Sequence, residues 1–153
     1  MSKIHKSIVS KYFEDFSIGD KYKIPSRTQT SAIFSMFQGA SGDNDPIHYD
    51  KEFCKQRGHP EMLAHGLQVL IQTAAGAGSF PSEVRDSLLG LLEVSGKIIK
   101  PVYREDTLYP QLIVSKLISQ NTTGIIKMKA LVNNQNNILV FEGFHKYLVK
   151  KKI

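Results

Sequence analysis

The run TGIIKMKALV, from Thr123 to Val132, sets Ile126, Met128, Ala130 and Val132 against Lys127, Lys129 and Leu131 in strict alternation. Successive side chains of an extended chain point to opposite faces, so a two-residue period marks a strand with one buried and one solvated face. LLEVSGKII, LYPQLIVSKLI and NILVFEGFHKYLV share its richness in β-branched and aromatic residues. The stretches SQNTTG and NNQNN separate the later strands and supply turn residues, which predicts antiparallel pairing of consecutive strands.

The first half of the chain reads differently. SIGDKYKIPSRTQ predicts a Gly-Asp turn followed by a short strand. Thr30 or Ser31 can then cap a helix that carries Ile33, Phe34, Met36, Phe37 and Ala40 and ends near Gly42. DKEFCKQRG predicts a short helix stopped by Gly58. In AHGLQVLIQTAAGAGSFP, the residues Leu67, Leu70, Ile71, Ala74, Ala75 and Gly78 fall at helical spacing. This predicts a long, largely buried helix whose Ala/Gly-rich second half sits close to what covers it, with Pro81 beyond its end. A strand, helices and then four strands make an α+β chain in which a sheet wraps one buried helix.

With 153 residues and no repeat, linker or low-complexity tract, the expectation is one domain over 1–153. No run reaches 18 apolar residues, and MSKIHKSIVSKYFEDF lacks the apolar core of a secretory signal. The single Cys54 can form no internal disulfide, which points to a reducing, cytoplasmic setting. Cys54 itself reads as a plain small residue, since no base is identifiable beside it. The net charge of +6 favours anionic partners. Yet Lys146, Lys150, Lys151 and Lys152 read as a solvated tail, with none of the arginine and aromatic interleaving of a nucleic-acid surface.

The most unusual ten residues are SGDNDPIHYD, Ser41 to Asp50. Pro46 fixes its own φ and pushes Asp45 towards an extended conformation, so the segment is a stiff loop. A bend there can bring Asp43 and His48 to one small volume, where a carboxylate and an imidazole can hold and polarise a water. On composition alone a capping turn is the simpler reading, because Asp and Asn side chains bond nearby backbone. As a calcium loop the stretch fails, with His48 where Gly is needed and Cys54 where a bidentate Glu is needed. His48, His59 and His65 lack the paired spacing of a zinc site. GAGS, from Gly76 to Ser79, lacks the Lys and the preceding strand of a phosphate loop and reads as close packing.

Taken together, GDNDPIHYD and the later AHG resemble the hydratase motif of MaoC-like dehydratases, the (R)-specific enoyl-CoA hydratase family, roughly G-D-x-N-P-x-H followed by a helix opening at A-H-G. YFEDFSIGD resembles the family's N-terminal strand region. KIIKPVYREDTLYPQLIV resembles its F-x-x-P-V-x-x-G-D hairpin, with Glu105 in place of the Gly. The resemblance implies the hot-dog fold, an antiparallel sheet wrapped around a central helix, and assembly into a homodimer or higher homo-oligomer. It implies that Asp43 and His48 are the catalytic pair for hydration and dehydration of trans-2-enoyl thioesters. It further implies that the Gly66 N–H binds the enolate oxygen, and that the substrate is an acyl-CoA or acyl-carrier-protein thioester with no separate cofactor or metal. Asp45 stands where the family usually has Asn, as a substrate-side residue or as a cap of the turn. A branched or dicarboxylic acyl-CoA, or a non-catalytic acyl-CoA-binding module, would use the same motif. Lys97, Lys100 and Arg104 are available to coenzyme A phosphates but read more simply as a solvated strand face. His65 reads as a structural residue at the helix start, and Ser41 and Gln68 as residues near the site.

Overall fold

The computed structural model describes residues 9–152. Residues 1–8, on which part of the N-terminal reading rests, and residue 153 lie outside the described residues. The elements are, in chain order, β1 (Lys21–Lys23), β2 (Arg27–Thr28), α1 (Ser31–Ser41), α2 (Lys51–Gln56), α3 (Gly66–Ile71), α4 (Phe80–Glu83), β3 (Leu88–Ile98), β4 (Thr107–Ser119), β5 (Thr123–Asn134) and β6 (Leu139–Lys150).

One antiparallel sheet runs β1–β4–β5–β6–β3, with β2 also paired to β4. The two short strands meet one edge of β4 in succession, Lys21–Lys23 against Gln111–Ile113 and Arg27–Thr28 against Thr107–Leu108. Pro25 falls between them and cannot donate to the ladder. The alternation of β5 is realised: Ile126, Met128, Ala130 and Val132 are fully buried. In β6 the register slips between Val132 and Asn133, which leaves Val140 as an extra residue and buries it beside Phe141.

The sequence from Tyr12 to Asp20 is not a strand. Phe13–Asp15 forms a 3-10 turn, because the Asp15 carboxylate accepts the Tyr12 N–H (3.0 Å) and Asp20 accepts that of Ser17 (2.9 Å). Short acidic side chains that bond local backbone compete with sheet pairing. KIIKPVYREDTLYPQLIV is likewise no hairpin, since β3 pairs with β6 and the chain crosses over to β4 at the far side of the sheet. At the turn between them Glu105 takes φ +72°, the left-handed region that favours glycine.

The central helix departs most from expectation. α3 ends at Ile71, followed by a 3-10 turn at Ala75–Ala77 and by α4, which contains Pro81. The Thr73 hydroxyl turns back to the Leu70 carbonyl (2.7 Å), a bond that competes with helix continuation. The buried face is also not the apolar one. Leu67 and Ile71 are 65% and 48% exposed, whereas Gln68, Val69, Gln72 and Thr73 are buried. Close packing explains Gly78, where a Cβ would meet the Lys23 carbonyl at 2.9 Å, but nothing lies within 4 Å of one at Gly76.

Val69, Ala75, Phe80 and Val84 join the inward residues of β4, β5 and β6 in one core. β3 is different: it forms a sheet edge, and Leu89, Leu91, Leu92 and Ile98 along it are about half exposed.

Candidate active site

α1 ends on Gly42, which takes φ +73° as its left-handed cap and turns the chain into the polar loop. Asp43 then opens a ladder of Asx turns. Its Oδ1 accepts the Asp45 N–H (3.3 Å), and Asp45 Oδ1 accepts the Ile47 N–H (3.0 Å). Asp45 is therefore the N-cap of the 3-10 turn Pro46–His48, and Asp50 caps α2 by accepting the Phe53 N–H. Both carboxylates are exposed, so this part of the loop is indeed a capping turn, as composition alone suggests.

The turn delivers His48 to a fixed place. Its Nδ1 lies 2.8 Å from the Leu63 carbonyl. A carbonyl only accepts, so Nδ1 carries the hydrogen and Nε2 is the nitrogen left for other work. Leu63 also donates its N–H to the Ile47 carbonyl (3.1 Å) and bridges Tyr103. The segment behind it is braced by Glu61, which meets Arg104 at 2.9 Å and Lys51 at 3.1 Å. The Arg104 guanidinium is the main reason that the Glu61 carboxyl is lowered to about 2. Arg104 is thus committed to Glu61 and to the Ser31 hydroxyl rather than to an outside phosphate.

Asp43, His48 and His65 converge, with a carboxylate oxygen and two ring nitrogens within 4.8 Å of one another. The two imidazoles stack at 3.7 Å with 26° between planes, and Phe37 packs on His65 at 4.8 Å. His65 precedes α3, yet its ring caps no helix N–H. It faces the main-chain oxygen of Asp43 and the side chain of Gln68 instead, each at 3.1 Å. Gln68 stands fully buried behind His65, and only Ser41 of the two suggested neighbours lines the site. The three converging groups make a poor zinc site. His48 Nδ1 and both His65 nitrogens are already engaged, which leaves two ligand atoms where a catalytic zinc needs three. Cys54 lies buried with its thiol on the Ile47 carbonyl (3.0 Å), and burial pushes the thiol up, away from the reactive thiolate.

A cavity of ≈ 400 Å³ opens beside these groups, lined by Asp43 and Gly66 together with Phe37, Leu70, Ile98 and Phe141. The Gly66 N–H is the first of α3 and has no intrahelical acceptor. A second, nearly all-apolar cavity of ≈ 360 Å³ shares Leu70 and continues along β3 and β6 past Val94 and Leu91. Its polar floor is internally satisfied. Thr73 gives its hydrogen to Leu70, so His145 Nε2–H donates to Thr73 (2.8 Å), and the Tyr147 hydroxyl donates to His145 Nδ1 (2.9 Å). Burial pushes Tyr147 up to about 12 and His145 down, keeping both neutral.

A family model described as "MaoC like domain" matches residues 15–137. The chain is 27% identical over 147 residues to "Uncharacterized protein YdeM" of Bacillus subtilis (strain 168), covering 90% of this chain and 98% of that one. Among solved structures it resembles a monoamine oxidase regulatory protein from Archaeoglobus, with a TM-score of 0.84, 25% identity and coverage of 96% and 99% of the two chains. An unliganded R-hydratase from Pseudomonas aeruginosa superposes with a TM-score of 0.76 at 20% identity, over 92% of this chain and 86% of that one. The architecture is the hot-dog fold.

Proposed function

The chain belongs to the MaoC-like domain family, and from that premise we propose that it catalyses the reversible hydration of trans-2-enoyl thioesters to (R)-3-hydroxyacyl thioesters, with Asp43 and His48 as the catalytic pair. One observation carries this reading. The hydrogen bond to Leu63 leaves Nε2 of His48 free, and a ring nitrogen of His48 lies within 4.8 Å of a carboxylate oxygen of Asp43, which lines an apolar cavity together with Gly66.

A water held between the Asp43 carboxylate and His48 Nε2 gives one proton to the pair as its oxygen bonds to C3. The C2=C3 electron pair moves towards the thioester, and the carbonyl oxygen gathers negative charge at the Gly66 N–H. The pair then passes the proton to C2 on the same face. H and OH are added across the double bond, and both side chains return to their starting state. The acyl chain lies along Leu70 and Phe141, and longer chains extend into the second cavity. Asp45 acts from within the turn by holding the Ile47 N–H, a task an Asn oxygen performs equally.

The same reading covers assembly and setting. The exposed Leu67 and Ile71 of α3 and Leu89, Leu91 and Leu92 of β3 are covered by a second copy of the chain. The thioester, on coenzyme A or an acyl carrier protein, is itself the substrate, with no further cofactor. The enzyme works in the cytoplasm; among the described residues no helix is long and apolar enough to cross a membrane.

The test is to mix purified protein with crotonyl-CoA and longer enoyl-CoAs and follow the loss of ultraviolet absorbance of the conjugated thioester. Asp43→Asn and His48→Ala are each expected to lower the rate by about 100-fold or more while circular dichroism stays unchanged. Wild-type rates in both variants would refute the assignment. Release of free thiol would identify a thioesterase instead.

A further inference from the structure

His65 is 2% exposed, and both of its ring nitrogens meet protein oxygens. Nε2 lies 3.1 Å from the Asp43 main-chain oxygen, which can only accept. Nδ1 lies 3.1 Å from Gln68 Oε1. The direction of that amide is settled two links away. The Arg27 main-chain oxygen also only accepts, so the end of Gln29 that lies 3.2 Å from it is the NH2 group. The Gln29 oxygen therefore faces Gln68 at 3.1 Å, and Gln68 must turn its own NH2 towards it. That leaves the Gln68 oxygen, and no donor, for His65. Turning either amide sets oxygen against oxygen, and both glutamines are 0% exposed, so water cannot relieve the clash.

We infer that this one-way chain, Arg27–Gln29–Gln68–His65–Asp43, holds His65 with a hydrogen on both ring nitrogens, as a cationic positioning residue for Asp43 and His48. The ring donates to the Asp43 main chain and stacks on His48. It is also joined by a peptide bond to Gly66. One buried side chain thus sets the spacing of all three groups assigned to the reaction. Its charge lies beside the place where the enolate oxygen would gather, in a cavity it helps to line. The two titratable side chains facing it are Asp43 and His48. The kinetic consequence rests on the hydratase reading above; the protonation of the ring does not.

The primary experiment is a long-range 1H–15N spectrum of the histidine rings in the full-length protein. Both His65 nitrogens are expected to show the shift of a protonated nitrogen, and one bare His65 nitrogen overturns the inference. Gln68→Met removes the acceptor without entering the cavity. In Gln68→Met, His65 is expected to lose its Nδ1 hydrogen, and kcat to fall by about 10-fold with KM unchanged. Unchanged kcat in Gln68→Met overturns the positioning role. If Gln68→Met does not fold, or if the wild-type protein hydrates no enoyl thioester, the wild-type nitrogen spectrum decides by itself. The second case would sink the hydratase reading and the kinetic role with it, while the two hydrogens on the His65 ring would stand or fall on the spectrum.

Discussion

Asp45 is where the chain departs from the family's usual Asn, and the structure turns that departure into a measurable claim. Its Oδ1 accepts the Ile47 N–H at 3.0 Å and caps the 3-10 turn that carries His48. Asp45→Ala removes that acceptor. The site is exposed, so water partly replaces the lost bond, and the cost is that of a helix cap, about 0.5–1 kcal/mol. For a chain of this length that corresponds to a fall in melting temperature of roughly 1–4 °C. Asp45→Asn keeps the oxygen and removes the charge, so its melting temperature is expected to stay within about 1 °C of wild type. Thermal unfolding followed by circular dichroism at neutral pH reads both variants. Hydration of crotonyl-CoA should follow the same order, with Asp45→Asn near wild type and Asp45→Ala slower by a few-fold as the His48 turn loosens. Equal losses in the two variants would mean that the charge is what matters. No loss in Asp45→Ala would mean that the cap is idle. Either result refutes the account of Asp45 as an acceptor inside the turn.

Glu105→Gly relieves a side chain held at φ +72° and is expected to stabilise the fold by up to about 1 kcal/mol; a lower melting temperature would contradict this. Gly143→Ala would drive a Cβ into the Ser95 carbonyl across the β3–β6 ladder, whereas nothing lies within 4 Å of one at Gly90. Urea unfolding should show Gly143→Ala destabilised by about 2–3 kcal/mol and Gly90→Ala by less than about 0.5 kcal/mol. Glu61, lowered to about 2 from 4.5 in the folded state, contributes stability that is present above its unfolded value and lost as pH falls through about 2. The gap between wild type and Glu61→Gln, about 1 kcal/mol near neutrality, should therefore shrink between about pH 4.5 and pH 2, and a constant gap would show that the ion pairs are not its source.

The strands were legible because alternation is a local signal. Ile126, Met128, Ala130 and Val132 are buried as the two-residue period requires. The slip that buries Val140 beside Phe141 was not, because a bulge depends on how two strands meet and leaves no mark on either alone. The crossover from β3 to β4 departs from the hairpin that the resemblance of KIIKPVYREDTLYPQLIV implies, for a related reason: which strand β3 pairs with is set far along the chain, in β6. At the site, the short spacing from Asp43 to His48 and the stiff Pro46 turn could be read directly. The links from Leu63 to His48 and from Gln29 to Gln68 could not, since they join residues 15 and 39 positions apart.

α3 shows why helical periodicity can identify the element yet reverse its faces. The stripe of Leu67, Leu70 and Ile71 suggests an inward apolar face, but Gln68, Gln72 and Thr73 are the residues turned inwards. This inversion is stable because the inward polar groups are spent on one another. Gln68 bonds His65 and Gln29, Gln72 bonds the Gln68 carbonyl, and Thr73 bonds Leu70 and His145. A polar face of this kind suits a helix that must support an imidazole from behind, where an apolar one would leave the His65 Nδ1–H without an acceptor. The outward leucines then have two uses at once. Leu67 lines the cavity and is 65% exposed, so a second copy that covers it also closes the cavity wall. On the proposed reading, assembly and completion of the acyl site are one event, and the apparent misplacement of the apolar face is what couples them.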